Sequence, residues 1–185
     1  MSTARERLLA RLLTEFGDQL PAPDASLREI ATRVGTSHPL LHYHFGSHAG
    51  LLTAMLVAQR AQDNEALRLG AKDASFAELV ERIWKLYSAP QGMARIRGFF
   101  LVAGLAAQEP AAFGEFISSL DDLRALLSNV ARRDGDSEER AHLRATVTLA
   151  ALRGLLLQEV LAPGIPLEDA LQFVLQIALD VTAAP

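Results

Sequence analysis

No cysteine occurs among the 185 residues. Disulfides, thiol nucleophiles and thiolate metal sites are therefore excluded. Long apolar runs are missing too. The longest, Phe99 to Ala107, falls far short of the ~20 residues that a membrane-spanning helix needs, so no membrane partner is expected. The opening MSTARERLLARLL lacks the continuous apolar region of a secretory signal, and a cytoplasmic protein is expected. There is no Gly-rich phosphate loop, no HExxH and no GxSxG. These absences argue against an enzyme and against a cofactor. His38 and His42 stand four apart, as do His44 and His48, but Gly46 breaks the second pair and no Cys completes a site of usual composition. No metal is expected.

Basic excess is also wanting. The formal net charge is −4. Residues 1–70 hold seven Arg, no Lys and seven acidic side chains, so the whole acidic surplus lies in residues 71–185. That balance is not the strong basic footprint of a nucleic-acid binder. Histidine, by contrast, is concentrated: four of five lie in 38–48.

What is present is helical. Half of the residues are hydrophobic, enough for a sizeable core. Leu8, Leu9, Leu12, Leu13 and Phe16 form one stripe of a first helix. Pro21 and Pro23 make 17–25 a loop. Ser26 with Glu29 has capping-box spacing, and Leu27, Ile30, Ala31 and Val34 recur at helical spacing up to Gly35. Ser37 caps a second short helix with Pro39 in its first turn, anchored from beneath by Leu40, Leu41 and Phe45 and closed by Gly46. Two short helices around a Gly-containing turn are the usual frame for setting a helix in the major groove. From Ser47 a longer helix runs to about Leu69, apolar through Ala58 and then polar, in the manner of a connector.

Further on, Ser75 with Glu78 starts a helix faced by Phe76, Val80, Ile83, Trp84 and Tyr87, and Pro90 and Gly92 interrupt. Met93 to Gln108 reads as a buried helix, and Pro110 opens another with Phe113, Phe116, Ile117, Leu120, Leu123, Leu126 and Leu127 inward. Asp136 with Glu139 starts a helix to Leu161, and Pro166 opens the last one. The fold class is all-α, with about nine helices and no strand.

The stretch from Ser26 to Leu52 resembles the DNA-binding domain of the TetR (tetracycline-repressor) family of bacterial transcription regulators. The residues that carry the resemblance are Ile30-Ala31, Gly35-Thr36-Ser37, Leu41-His42-Tyr43-His44-Phe45 and Ser47-His48-Ala49-Gly50-Leu51-Leu52, about the first third of the chain. The resemblance implies an N-terminal three-helix helix-turn-helix domain and a C-terminal domain that binds an effector and dimerises. The domains expected are 1–48 for DNA, 49–74 as connecting helix and linker, and 75–185 for effector and dimer.

Thr36, His38, Pro39, His42 and Tyr43 are the residues best able to reach DNA, and Ser26, Arg28, Ser37, His44 and His48 complete the candidate set. The family commonly has a phosphate-binding lysine at the position of His48, so affinity is expected to rise toward pH 6. Trp84, Tyr87, Arg97, Phe100, Phe113, Phe116, His142 and Arg153 are candidates for an effector pocket, and their composition points to a small, largely apolar ligand. Val147, Ala151, Gly154 and Gln158 in one helix, with Val174, Ile177 and Ala178 in the next, are candidates for a homodimer face. The expected function is a ligand-responsive regulator, a repressor bound to a palindromic double-stranded operator. Two other readings stay open: an all-helical carrier or interaction module with an idle helix-turn-helix, and a helical-bundle enzyme whose polar groups converge only in the fold.

Overall fold

The computed structural model describes residues 3–164 and 166–180, leaving out the side chains of residues 179 and 180. Nine α-helices lie among the described residues, and no strand. They are α1 (Ala4–Phe16), α2 (Leu27–Val34), α3 (His38–Phe45), α4 (His48–Gly70), α5 (Phe76–Ser88), α6 (Pro90–Gln108), α7 (Gly114–Arg133), α8 (Glu138–Leu161) and α9 (Leu167–Asp180). The chain forms two compact units, Met1–Gln62 with Arg97–Ser119, and Asp63–Ile96 with Leu120–Pro185. Helices α4, α6 and α7 each contribute to both.

The first unit is built on the stripes read above. Leu8 and Leu12 of α1, Ile30, Ala31 and Val34 of α2, and Leu41 and Phe45 of α3 are buried, as are Leu51, Leu52, Met55 and Leu56 of α4. Leu40 departs from expectation: it is exposed rather than an anchor, because at 3.6 residues per turn it points away from Leu41 and Phe45. Phe99 and Phe116 pack with ring centroids 5.6 Å apart. Pro110–Phe113 forms a 3₁₀ turn before α7, so the helix expected from Pro110 begins at Gly114. Ile117 is exposed, not inward.

The second unit buries Phe76, Leu79, Val80, Ile83, Trp84 and Tyr87 of α5 against residues such as Leu123, Leu127, Ala145, Leu149 and Leu152. Arg133 ties the 71–74 loop by donating to the carbonyls of Ala71 (3.0 Å) and Lys72 (2.6 Å). The backbone N–H of Phe76 donates to Asp134 Oδ2 at 2.7 Å.

Two expected starts move. The expected interruption falls at Ala89, which is extended, while Pro90 and Gly92 lie in the first turn of α6, where proline's missing N–H removes no helical bond. Helix α8 is capped by Ser137, whose hydroxyl accepts from the N–H of Arg140 at 3.3 Å, not by Asp136. The Asp136 carboxylate is occupied by Arg144 (2.8 Å) and Arg140 (3.5 Å).

The largest correction concerns α4. Its polar second half is not a solvated connector, since Gln59, Arg60, Asp63 and Asn64 are all buried. They extend the inward stripe Leu52, Leu56, Gln59, Asp63, Leu67 at spacings of three and four.

Candidate nucleic-acid interface

The site lies within the first unit, on α2, α3 and the start of α4. Ser26 and Glu29 satisfy one another at the head of α2: the Glu29 N–H donates to Ser26 Oγ (3.2 Å), and the Ser26 N–H donates to Glu29 Oε2 (2.7 Å). The Ser26 backbone N–H, then its hydroxyl, hold the Glu29 carboxyl below its usual pKa. The Ser26 hydroxyl is therefore engaged in capping.

Gly35 closes α2 in the left-handed region, φ 68° and ψ 42°, where a side chain is strained. Arg11 of α1 reaches across and donates to the carbonyls of Val34 and Gly35. It thereby satisfies the C-terminal carbonyls of α2 that have no partner within the helix. Ser37 caps α3, accepting from the Leu40 N–H at 3.3 Å. Ser47 caps α4, accepting from the Gly50 N–H at 3.0 Å. A Cβ at Gly50 would lie 2.2 Å from the Phe45 carbonyl oxygen, so only glycine lets α4 leave α3 this closely.

These constraints turn one face of α3 outward. Leu41 and Phe45 are buried, while Tyr43 on the opposite side is 81% exposed. His38, Pro39 and His42 are exposed, and Thr36, His44 and His48 are half-buried. The His38 and His42 rings lie 6.2 Å apart. Ser26, Arg28 and Ser37 are exposed on the same motif. The ten candidates thus fall on one contiguous segment of a single compact unit. The His48 Nε2 is buried without a hydrogen-bond partner. Burial lowers the pKa of the His48 imidazole, because the charged form loses hydration.

The profile described as bacterial regulatory proteins, tetR family, matches residues 22–55. Residues 22–55 are thus similar in sequence to the helix-turn-helix of that family. The fold of the chain is likewise that of TetR regulators. A TetR transcriptional regulator from Legionella pneumophila is 21% identical, with 96% of this chain and 98% of that one covered and a TM-score of 0.68. A TetR transcriptional regulator from Rhodococcus sp. RHA1 is 16% identical, with 96% of each chain covered and a TM-score of 0.64. The fatty acid degradation regulator FadR from Bacillus halodurans is 13% identical, with 97% and 96% covered and a TM-score of 0.62. No curated protein matches. The chain is an all-helical protein that shares the fold of these structures.

The eight effector candidates divide between the units. Arg97, Phe100, Phe113 and Phe116 lie in the first; Trp84, Tyr87, His142 and Arg153 lie in the second. Trp84, Tyr87, Phe113 and Phe116 are buried, Phe100 and Arg153 are half-buried, and Arg97 and His142 are exposed. Arg124 Nη1 lies 2.7 and 3.0 Å from the His142 Nδ1 and Nε2.

Sequence reasoning missed a buried polar group in the second unit. The Asp63 carboxylate pairs with Arg95 and accepts from the Tyr87 hydroxyl at 3.3 Å. Beside it in sequence, the Asn64 amide is buried with neither its oxygen nor its nitrogen hydrogen-bonded. The signal that could have found them is the unbroken three-and-four spacing through Asp63.

The dimer candidates lie on α8 and α9 of the second unit. Buried there are Ala141, Ala145, Leu149, Leu152 and Leu156 on α8, and Leu171, Leu175 and Ala178 on α9. Val147, Gly154 and Gln158 are turned out with Ile177, while Ala151 and Val174 are half-buried. The three α9 candidates therefore differ in environment, with Ile177 exposed, Val174 half-buried and Ala178 buried. Leu143, Val147, Ala151, Val174, Ile177 and Ala178 help line a hollow of about 150 Å³. Among the described residues there is no group of three or more His, Cys, Asp or Glu able to hold a metal ion. No helix among them is long and apolar enough to cross a membrane.

Proposed function

We propose that this protein is a cytoplasmic, homodimeric, ligand-responsive repressor that binds a palindromic operator. The observation that carries the proposal is the outward face of α3, Thr36 to Tyr43, held against its own domain by Leu41 and Phe45. In this reading residues 1–48 bind DNA, 49–74 link, and 75–185 take the effector and the second copy. Two heads place their α3 helices in successive major grooves, because one three-helix head spans only a short half-site.

The dimer reading rests on apolar exposure. Val147, Phe173 and Ile177 are 58, 65 and 45% exposed, an arrangement that a second copy would cover. The effector reading rests on Trp84, Tyr87 and the unpaired Asn64 amide. A buried amide without partners costs about 1–3 kcal/mol, and a polar group on an otherwise apolar ligand would remove that cost. An effector that binds the non-operator conformation better weakens DNA binding through α4.

A gel shift against DNA from upstream of its own gene tests the proposal directly; failure to retard that DNA or a random duplex pool at low salt overturns it. The salt dependence carries a further expectation. Arg11 is committed to carbonyls and Arg33 to Glu15 (2.8 Å), and the head has no lysine. With only about three or four phosphates neutralised per dimer, log K should fall with log salt at a slope of roughly −3. A slope near −8 in a filter-binding titration would mean that cations outside this face contact the DNA.

The pH dependence follows from His48. Its imidazole is held below the ordinary value of 6.5, so the neutral form persists further into acid than sequence alone implied. DNA phosphate favours the charged form, and binding should therefore strengthen as pH falls below the usual histidine range. The ratio of wild-type affinity to that of His48→Gln cancels the contributions of His38, His42 and His44. At fixed salt that ratio should be flat above about pH 7 and rise several-fold by about pH 5.5. A ratio unchanged across the range would remove His48 from the contact.

A further inference from the structure

The outward apex of α3 carries none of the side chains that read bases bidentately. Arg or Lys reads guanine and Asn or Gln reads adenine through paired hydrogen bonds. The helix His38–Phe45, HPLLHYHF, has no Arg, Lys, Asn or Gln, and residues 36–48 have no carboxylate. What stands opposite Leu41 and Phe45 is Tyr43, flanked at three and four residues by Leu40 and Pro39. Leu40 is 42% exposed although it is fully apolar and sits on a helix whose other leucine is wholly buried. The imidazoles of His38 and His42 lie to one side of this apex, 6.2 Å apart. The projecting surface is thus hydrocarbon with hydrogen-bonding groups at its edge.

In the major groove only thymine presents an apolar group, the C5 methyl. We infer that Leu40, with Pro39 and Tyr43, reads thymine C5-methyl groups, so that the operator half-site is specified by T·A pairs through apolar contact rather than by guanine or adenine hydrogen bonds. The inference rests on the DNA-binding reading above and adds to it a residue, Leu40, and a base chemistry. A duplex partner suits this face because no acidic side chain on it repels phosphate.

The experiment uses the full-length chain and begins from random duplex DNA. A site is selected from that pool, and the selected duplex is then remade with deoxyuridine in place of thymidine, which removes the methyl and nothing else. Covering one methyl is worth roughly a fourfold change in a binding constant. The thymidine duplex should bind about fifteenfold more tightly than the deoxyuridine duplex when each half-site loses one methyl. Leu40→Ala should lower that ratio at least about threefold, with unchanged helix content by circular dichroism, and an undiminished ratio would remove Leu40 from the contact. Equal affinity of the wild-type protein for both duplexes, or a selected half-site without T·A pairs, overturns the methyl reading and leaves DNA binding standing. Selection of no sequence at all overturns both.

Discussion

Val147→Asp is expected to convert the dimer to a monomer and to lower operator affinity by at least about a hundredfold. Val147 is more than half exposed in the single chain, so the substitution leaves the fold of one copy intact and its effect appears only on association. At a two-fold interface each substitution occurs twice, and burying unpaired carboxylates there costs several kcal/mol. Losing the second head removes a tethered contact, which by effective concentration alone is worth about 10²–10⁴ in affinity. Ile177→Asp, across the same hollow on α9, should behave alike. Sedimentation and a gel shift on one sample check both halves of the expectation. A persistent dimer in either variant would place the interface elsewhere than α8 and α9.

Tyr43→Ala should reduce operator affinity by about ten- to a hundredfold while leaving the dimer and the thermal midpoint unchanged. The ring is 81% exposed and makes only an edge contact with His44, at 5.0 Å between centroids. Truncating a side chain with so little packing shifts stability by no more than about 0.5 kcal/mol. In a dimer the change removes two apolar groove contacts, each worth about 0.8–1.6 kcal/mol when one or two methyl-sized groups are covered. Parental affinity in this variant would mean that the α3 face does not enter the groove. Loss of melting temperature together with affinity would instead assign Tyr43 to the packing of the head.

The helix-turn-helix was legible because its signals are local. Ser26 with Glu29, Gly35, Ser37 and Gly46 act within four residues of where they stand, and such caps contribute about 1 kcal/mol each. The Ser75 and Glu78 box was legible for the same reason. Asp136 shows where that reasoning stops. It has the spacing of a cap to Glu139, but Arg140 and Arg144 engage its carboxylate and the neighbouring Ser137 takes the role. A carboxylate within reach of two guanidinium groups gains more from them than from one backbone N–H. Leu40 was misplaced for a related reason: three apolar residues in eight do not say which one lacks a wall to pack on.

Composition and spacing alone thus settled the all-helical class, the position of the two motif helices and the small glycine turns that separate them, since each depends on neighbours in the chain. Burial was settled only by packing. Gln59, Arg60 and Asp63 read as a wet helix end, yet segments far away cover them: Gln59 donates to the Gly17 carbonyl at 2.8 Å, Arg60 to that of Ser119 at 3.2 Å, and Asp63 meets Tyr87 and Arg95. A polar side chain is admitted to the interior when a distant group satisfies it, and that group is not written in the side chain's own neighbourhood.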